Sequence, residues 1–134
     1  MKILVCGDRF WSDIELIAEV IATYSSDTIL VHGACHLGGA DIIAGEVAKQ
    51  LGFEVREYPA DWKTYGKKAG PIRNLEMLKK EHLENEPIDE VIGFHNDIVN
   101  SSGTKHMLNS AIKAKIKTRL VTNTTVLELA DRLR

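Results

Sequence analysis

Apolar residues along the chain fall into short runs typical of buried strands, separated by stretches with the spacing of amphipathic helices. Five runs, four of them rich in β-branched residues, predict strands at residues 3–6, 28–31, 53–58, 90–94 and 118–121. Helical spacing is clearest over residues 40–51 and recurs over residues 14–21. Strands and helices are therefore expected to alternate.

This alternation predicts a parallel sheet with helices on both faces, because each right-handed crossover lays its helix against the strands. We expect one α/β domain over residues 1–134, with a Rossmann-like fold and a five-stranded parallel sheet in the order 3-2-1-4-5. Helices after Gly70 and after Gly103 would fill the third and fourth crossovers. Thr124 or Thr125 would cap a final helix that runs to Leu133.

One long connection, residues 59–69, interrupts this rhythm. Long loops in compact domains are often functional. Trp62 and Tyr65 in this loop either pack it onto the sheet or form a wall for a planar ligand group such as a base.

The composition is that of an ordinary globular protein of 134 residues, 44% hydrophobic and 27% charged. A net charge of −2 argues against a surface built for duplex nucleic acid. No run approaches the roughly 20 apolar residues that cross a bilayer, and the first residues lead into a strand without a signal-peptide pattern. We therefore expect a cytoplasmic protein that makes no membrane contact.

Neither the cysteines nor the histidines have the spacing of a metal site. Cys6 lies in an apolar run and Cys35 in a turn, and the 5 histidines share no helix face. The chain also lacks the G-x-G-x-x-G dinucleotide fingerprint and the G-x-x-x-x-G-K-[ST] phosphate loop. We expect no metal and no cofactor, and neither a dehydrogenase nor a P-loop enzyme.

Candidate ligand-binding residues cluster after the predicted strands. In an open parallel sheet the loops after the strands meet at one edge, and the crevice lies where the strand order reverses, here between strands 1 and 4. Glycines there let backbone N–H groups approach an anion, and the first turn of the following helix has unpaired donors. The predicted ligand contacts are Gly7, Asp8, Arg9, Gly33, Gly39, Asp41, Trp62, Arg73, Asn74, Ser102, Gly103 and Thr104.

Several of these residues have a second interpretation. The turn at residues 101–104 is either a phosphate cradle or an ordinary helix cap, and Asp41 either stabilises its helix dipole or contacts ligand hydroxyls. Arg9 either offers its guanidinium to the ligand or pairs with a neighbouring aspartate. Asn74 either forms hydrogen bonds with a base or ribose of the ligand, or it holds its own loop in place. Arg73, near a helix start, is unfavourable for the dipole and so indicates an anionic partner.

Six short strings occur in a characteristic order. They are V-C-G-D-R at residues 5–9, H-G at 32–33 with G-G-A-D at 38–41, Y-P-A-D-W at 58–62, A-G-P-I-R-N at 69–74 and S-G-T at 102–104. Together they resemble the short YspA-like branch of the SLOG superfamily over nearly the whole chain. That superfamily has a Rossmann-like fold and includes LOG-type phosphoribohydrolases, DNA-binding DprA proteins and ligand-sensing domains. The resemblance implies a nucleotide or nucleotide-derived ligand, and it makes a homodimer plausible.

The resemblance also implies roles for individual residues. Gly103 and Thr104 look like the glycine-threonine pair of the LOG phosphate loop, and Arg73 looks like its arginine on the preceding helix. Met107 stands where LOG enzymes have a glutamate. An enzyme built on this chain would therefore need another carboxylate at the sugar.

Three functions follow from these observations. The first is a module that senses or sequesters a nucleotide-type ligand and needs no catalytic acid. The second is a nucleoside-monophosphate N-glycosidase or phosphoribohydrolase with Asp41 or Asp61 as the catalytic carboxylate, or with Asp97 in that place. The third is single-stranded nucleic-acid binding through the basic stretch at residues 113–119, with Trp62 and Tyr65 as stacking surfaces.

Overall fold

Five parallel strands form one sheet in the order β3-β2-β1-β4-β5. They are β1 (Lys2–Gly7), β2 (Ile29–His32), β3 (Glu54–Glu57), β4 (Glu90–Phe94) and β5 (Lys117–Val121). The computed structural model describes residues 1–123, and the final helix predicted after Thr124 or Thr125 lies outside them. The predicted α/β fold and strand order are confirmed.

Five α-helices connect or extend the strands. They are α1 (Ile14–Ile21), α2 (Ala40–Gln50), α3 (Trp62–Tyr65), α4 (Ala69–Leu78) and α5 (Gly103–Lys113). Short 3-10 turns lie at Gly66–Lys68 and Ile98–Asn100, and a π-helical turn, Lys79–Leu83, continues α4. Within residues 1–123, no helix combines the length and the apolar character needed to span a membrane.

The two faces of β1 bury different helices, because successive side chains of a strand point in opposite directions. Ile3 and Val5 pack with α1 and α2 in one apolar cluster. Leu4 and Cys6 pack with α4 and α5 in the other. The sheet is therefore covered on both sides, as its near-continuous apolar strands predict.

The connection predicted as a long loop at residues 59–69 is largely helical, which corrects the sequence prediction. The Asp61 side chain accepts a hydrogen bond from the Thr64 N–H at 3.1 Å and starts α3, and the 3-10 turn after α3 runs directly into α4. Gly70 therefore lies inside α4, and Arg73 falls in its second turn. The helix dipole therefore gives no reason to expect an anion beside Arg73, because the dipole effect fades beyond the first turn.

A buried charge cluster ties the end of α4 to the sheet. Glu81, in the π-helical turn, has its Oε1 3.1 Å from Lys2 Nζ and 2.7 Å from Arg56 Nη1. The Tyr58 hydroxyl donates to Glu81 Oε2. Burial alone would raise the pKa of Glu81, but the hydrogen bonds from Tyr58, Lys2 and Arg56 hold it below the ordinary value. The cluster fixes α4 relative to β1 and β3.

Candidate functional site: a cleft at the carboxyl edge of the sheet

A cleft of about 640 Å³ opens between the carboxyl ends of β1 and β4. After β1 the chain crosses to α1 on one face of the sheet, and after β4 it crosses to α5 on the other. The two loops diverge and leave a space between them, as expected where the strand order reverses.

Most of the predicted ligand contacts line this cleft. Those that do are Gly7, Asp8, Arg9, Asp41, Trp62, Arg73, Asn74, Ser102, Gly103 and Thr104. Gly33 and Gly39 pack beside it and shape it. Asp61 is exposed and does not line it, since its carboxylate caps α3.

The Arg73 guanidinium is anchored at the ends of two strands. Its Nη1 donates to the main-chain carbonyl of Gly33 and lies 3.3 Å from that of Tyr58, and its Nε donates to Asn74 Oδ1 at 2.9 Å. A Cβ at residue 33 would overlap the guanidinium, so Gly33 is required for this packing. The side chain is half-buried and still reaches the cleft.

Asn74 links the arginine to the start of α5. Its side chain is buried, and its Nδ2 lies 3.2 Å from His106 Nδ1 and 3.5 Å from the Gly103 carbonyl oxygen. Because Asn74 Oδ1 also accepts from Arg73, one side chain connects the guanidinium with the Gly103 corner. The structure thus places Arg73 and Gly103 on the same side of the cleft.

Asp41 is a buried carboxylate in the first turn of α2, only 7% exposed. Burial raises its pKa to about 6, against the opposing effects of the Arg73 charge and the N–H groups of Gly33 and Cys35. Its Oδ1 has no hydrogen-bond partner among the described residues. A buried acceptor without a partner is costly, so this oxygen adds to the cost of ionising Asp41.

The loop after β1 is held tightly by the start of α2. Gly39 caps α2 with a φ of 80°, and a Cβ there would overlap the main chain of Arg9. The Ala40 N–H donates to the Asp8 carbonyl at 3.1 Å, and the Asp8 N–H donates to the Phe94 carbonyl at 2.8 Å. The cleft wall formed by residues 7–9 is therefore rigidly placed.

Arg9 forms no ion pair with a neighbouring aspartate in the described part of the chain. Asp8 Oδ1 accepts from the Phe10 N–H at 2.9 Å, and Asp13 caps α1 by accepting from the Leu16 N–H at 3.1 Å. The exposed Arg9 guanidinium instead lies 5.0 Å from the centre of the Phe10 ring. Its charge remains available at the rim of the cleft.

The first turn of α5 faces the cleft, and one of its N–H groups, that of Lys105, donates to the Ser101 side chain at 3.4 Å. Ser102 precedes the helix, but its side chain makes no capping hydrogen bond. Gly103 and Thr104 are the first helical residues, so their N–H groups have no partner within α5. A Cβ on Gly103 would meet no neighbouring atom, so nothing in the fold itself requires a glycine there.

A comparison with known families now adds to this geometry. The family model for the YspA, cpYpsA-related SLOG family matches residues 1–65, which hold the loop after β1 and the start of α2. The chain belongs to this SLOG family. Membership is consistent with nucleotide-related binding and supports the predicted resemblance.

This SLOG protein also has a relative in a phage. The chain is 33% identical over 124 residues to the Gene 61 protein of Mycobacterium phage D29, and the match covers 86% of this chain and 91% of that protein. No solved structure matches the chain.

Several lining residues of the SLOG protein were not predicted as ligand contacts, notably Phe10, Lys67 and Asn100. Phe10 directly follows Arg9, and that adjacency is the signal that could have found it. Trp62 lines the cleft, is 48% exposed and lies edge-on to His36 with ring centres 6.2 Å apart.

The inner wall near α5 is apolar where LOG enzymes have their glutamate. Met107 is buried and contributes to the lining. Among residues 1–123, no group of histidine, cysteine or acidic side chains is arranged to hold a metal ion. The lining also includes the carboxylates of Asp8, Asp41 and Asp97 and the cationic side chains of Arg9, Lys67 and Arg73.

Proposed function

We propose that this SLOG protein binds a phosphate-bearing nucleotide or nucleotide-derived ligand in the cleft, as a sensor or sequestering module. The observation that carries the proposal is that the first turn of α5, where the Gly103 and Thr104 N–H groups have no partner within the helix, opens into the same cleft as the Arg73 guanidinium. Unpaired N–H groups at a helix start attract anions, and a guanidinium strengthens that attraction by charge-assisted hydrogen bonds. Nε and Nη1 of Arg73 donate hydrogen bonds within the protein, which leaves Nη2 for the ligand.

The remaining walls suit the other parts of such a ligand. A volume of about 640 Å³ falls in the range of small-molecule sites, roughly 300–1,000 Å³. Asp41 lines the cleft and its carboxylate can accept from a sugar hydroxyl, and the exposed indole of Trp62 offers a flat surface to a base.

Titration calorimetry with AMP and with ribose 5-phosphate tests the proposal. Arg73→Ala should weaken binding at least about tenfold, because a charge-assisted hydrogen bond contributes about 1.5–3 kcal/mol. Lys79→Ala is the matched control, since Lys79 is an exposed cation that follows α4 and does not line the cleft. Equal affinity of the native and Arg73→Ala proteins would show that this arginine does not contact the ligand.

The native ligand can be sought directly by mass spectrometry of small molecules that co-purify with the full chain. A phosphate-bearing compound that is lost in the Arg73→Ala protein supports the proposal. Circular dichroism of each variant shows whether it is folded, because Arg73 also anchors two loops.

One observation favours a second function, hydrolysis of an N-glycosyl bond. Asp41 is buried, has an unpartnered oxygen and has a pKa raised to about 6, so it can exchange a proton near neutral pH. Asp41→Asn separates the two functions. Loss of base release with ligand binding retained supports the enzyme, whereas binding without any detectable product in the native protein supports the module.

A further inference from the structure

The last residue of β2, His32, directly precedes the turn at residues 33–35, of which Cys35 lines the cleft. It is fully buried, and its Nδ1 accepts a hydrogen bond from the Ala34 N–H at 2.9 Å. A ring nitrogen can accept only when it carries no proton, so this imidazole is neutral with its proton on Nε2. The turn at residues 33–35 therefore depends on the protonation state of His32.

This short turn touches both charged groups of the proposed site. The Gly33 carbonyl accepts a hydrogen bond from the Arg73 guanidinium, and the N–H groups of Gly33 and Cys35 act to lower the pKa of Asp41. Ala34, in the middle of the turn, has a φ of 49°, a left-handed conformation that is unfavourable for a residue other than glycine. The hydrogen bond to His32 helps to hold that conformation.

We propose that His32 is a positioning residue: its neutral imidazole holds the turn at residues 33–35, and with it Arg73 and Asp41, in the ligand-binding arrangement, and its protonation releases them. The inference rests on the proposed function for its effect on binding, but the movement of the turn is a property of the unliganded protein. Protonation converts Nδ1 from an acceptor into a donor that faces the donor of Ala34. The turn must then open.

Charged groups on three elements surround the imidazole. Glu57 of β3 has its Oε1 3.6 Å from His32 Nε2, Glu46 and Lys49 lie on α2, and Arg73 comes from α4. Burial lowers the pKa of His32, Glu57 and Glu46 oppose this shift, and Lys49 and Arg73 add to it. The neutral form is thus favoured at neutral pH, and acidification is the direction that releases the turn.

The His32 imidazole is closely packed against a neighbouring helix. A Cβ on Gly45 of α2 would lie 2.7 Å from His32 Nε2, so α2 presses directly on the imidazole. The imidazole is therefore packed between the turn at residues 33–35 and the backbone of α2.

Two substitutions separate the roles of the ring. His32→Asn keeps an acceptor close to the position of Nδ1 but does not titrate, and His32→Leu removes the acceptor. His82→Asn is the control, because His82 Nδ1 also accepts from a main-chain N–H, that of Ile88 at 3.0 Å, and does not line the cleft.

The first measurement is NMR of the unliganded protein between about pH 5 and pH 8, in an Asp41→Asn background that removes the buried carboxyl group close to the turn. We expect the amide signals of Ala34 and Cys35 and the Arg73 Nε signal to follow the titration of His32, and to stop moving in His32→Asn. Signals that ignore the His32 titration, or a proton found on Nδ1, would overturn the inference.

The second measurement is AMP binding over the same pH range with Asp41 intact. Affinity should fall on acidification more steeply in the native and His82→Asn proteins than in His32→Asn, and His32→Leu should bind at least about tenfold more weakly at every pH. The same pH profile in the native and His32→Asn proteins contradicts the inference. If no protein binds AMP at any pH, the proposed function fails, and the NMR result alone decides the positioning role.

Discussion

The Arg73 guanidinium lies directly on the backbone of Gly33, 40 residues earlier in the chain, and its Nη1 donates to the Gly33 carbonyl. A Cβ at position 33 would overlap the guanidinium. The position of the arginine is therefore set by the absence of a side chain on another element. This relationship can be tested by adding the missing carbon.

Gly33→Ala should displace Arg73 and weaken AMP binding at least about tenfold, with a loss of about 1–3 kcal/mol in the free energy of unfolding. Calorimetry and chemical denaturation measure the two effects. In an Arg73→Ala background the extra methyl group has no guanidinium to displace, so Gly33→Ala should then cost much less. Equal costs in both backgrounds would show that the two residues are not coupled.

Gly103→Ala should have opposite effects on stability and on binding. A Cβ there meets no neighbouring atom, and alanine favours a helix over glycine by up to about 1 kcal/mol, so the protein should be as stable or slightly more stable. The methyl group would, however, occupy the cleft wall where a phosphate approaches. Affinity for ribose 5-phosphate that stays unchanged would place the phosphate elsewhere.

Asp41→Asn should stabilise the protein at about pH 8 and leave it unchanged near pH 4. The folded pKa is raised from 3.8 to about 6, so the folded protein binds the proton more tightly than the unfolded chain does. The cost of ionising Asp41 therefore appears as the pH rises through this interval and is complete above it, at about 3 kcal/mol at most. Thermal melts at both pH values test this, and a stability difference that does not vary with pH contradicts it.

Glu81→Gln should destabilise the protein by up to about 3 kcal/mol at neutral pH, since it removes the negative charge that pairs with the buried Lys2 and the half-buried Arg56. The pKa of Glu81 is lowered in the folded protein, so its stabilising effect is complete above its ordinary pKa of 4.5 and is lost as the pH falls through the folded value. Urea denaturation gives the loss. Glu76→Gln, an exposed carboxylate on the same helix, should change little.

The sheet was predictable because its strands carry a strong local signal, whereas part of the connection after β3 was not. Residues 90–94 form an almost unbroken apolar run, and β4 covers the same five residues. The four residues of α3 are all exposed and have no apolar stripe, so periodicity could not detect a helix that begins at the cap of Asp61.

The site was predictable where glycines follow strands, and less so where main-chain atoms are the partners. The place of Arg73 near a helix start indicates an anion contact, yet its observed partners are the Asn74 side chain and the main-chain carbonyls of Gly33 and Tyr58. Backbone carbonyls carry no sequence signature. His32 was missed for a related reason, because its partner is the N–H of Ala34.

The reversal of strand order between β1 and β4 distributes the cleft over separate crossovers, so no single stretch of chain encloses it. An exchange in one loop then alters one side of the cleft while the pairing of the strands stays intact. Two proteins with the same sheet can thereby diverge in the molecules they recognise, and transplanting individual loops between relatives offers a route to new selectivity.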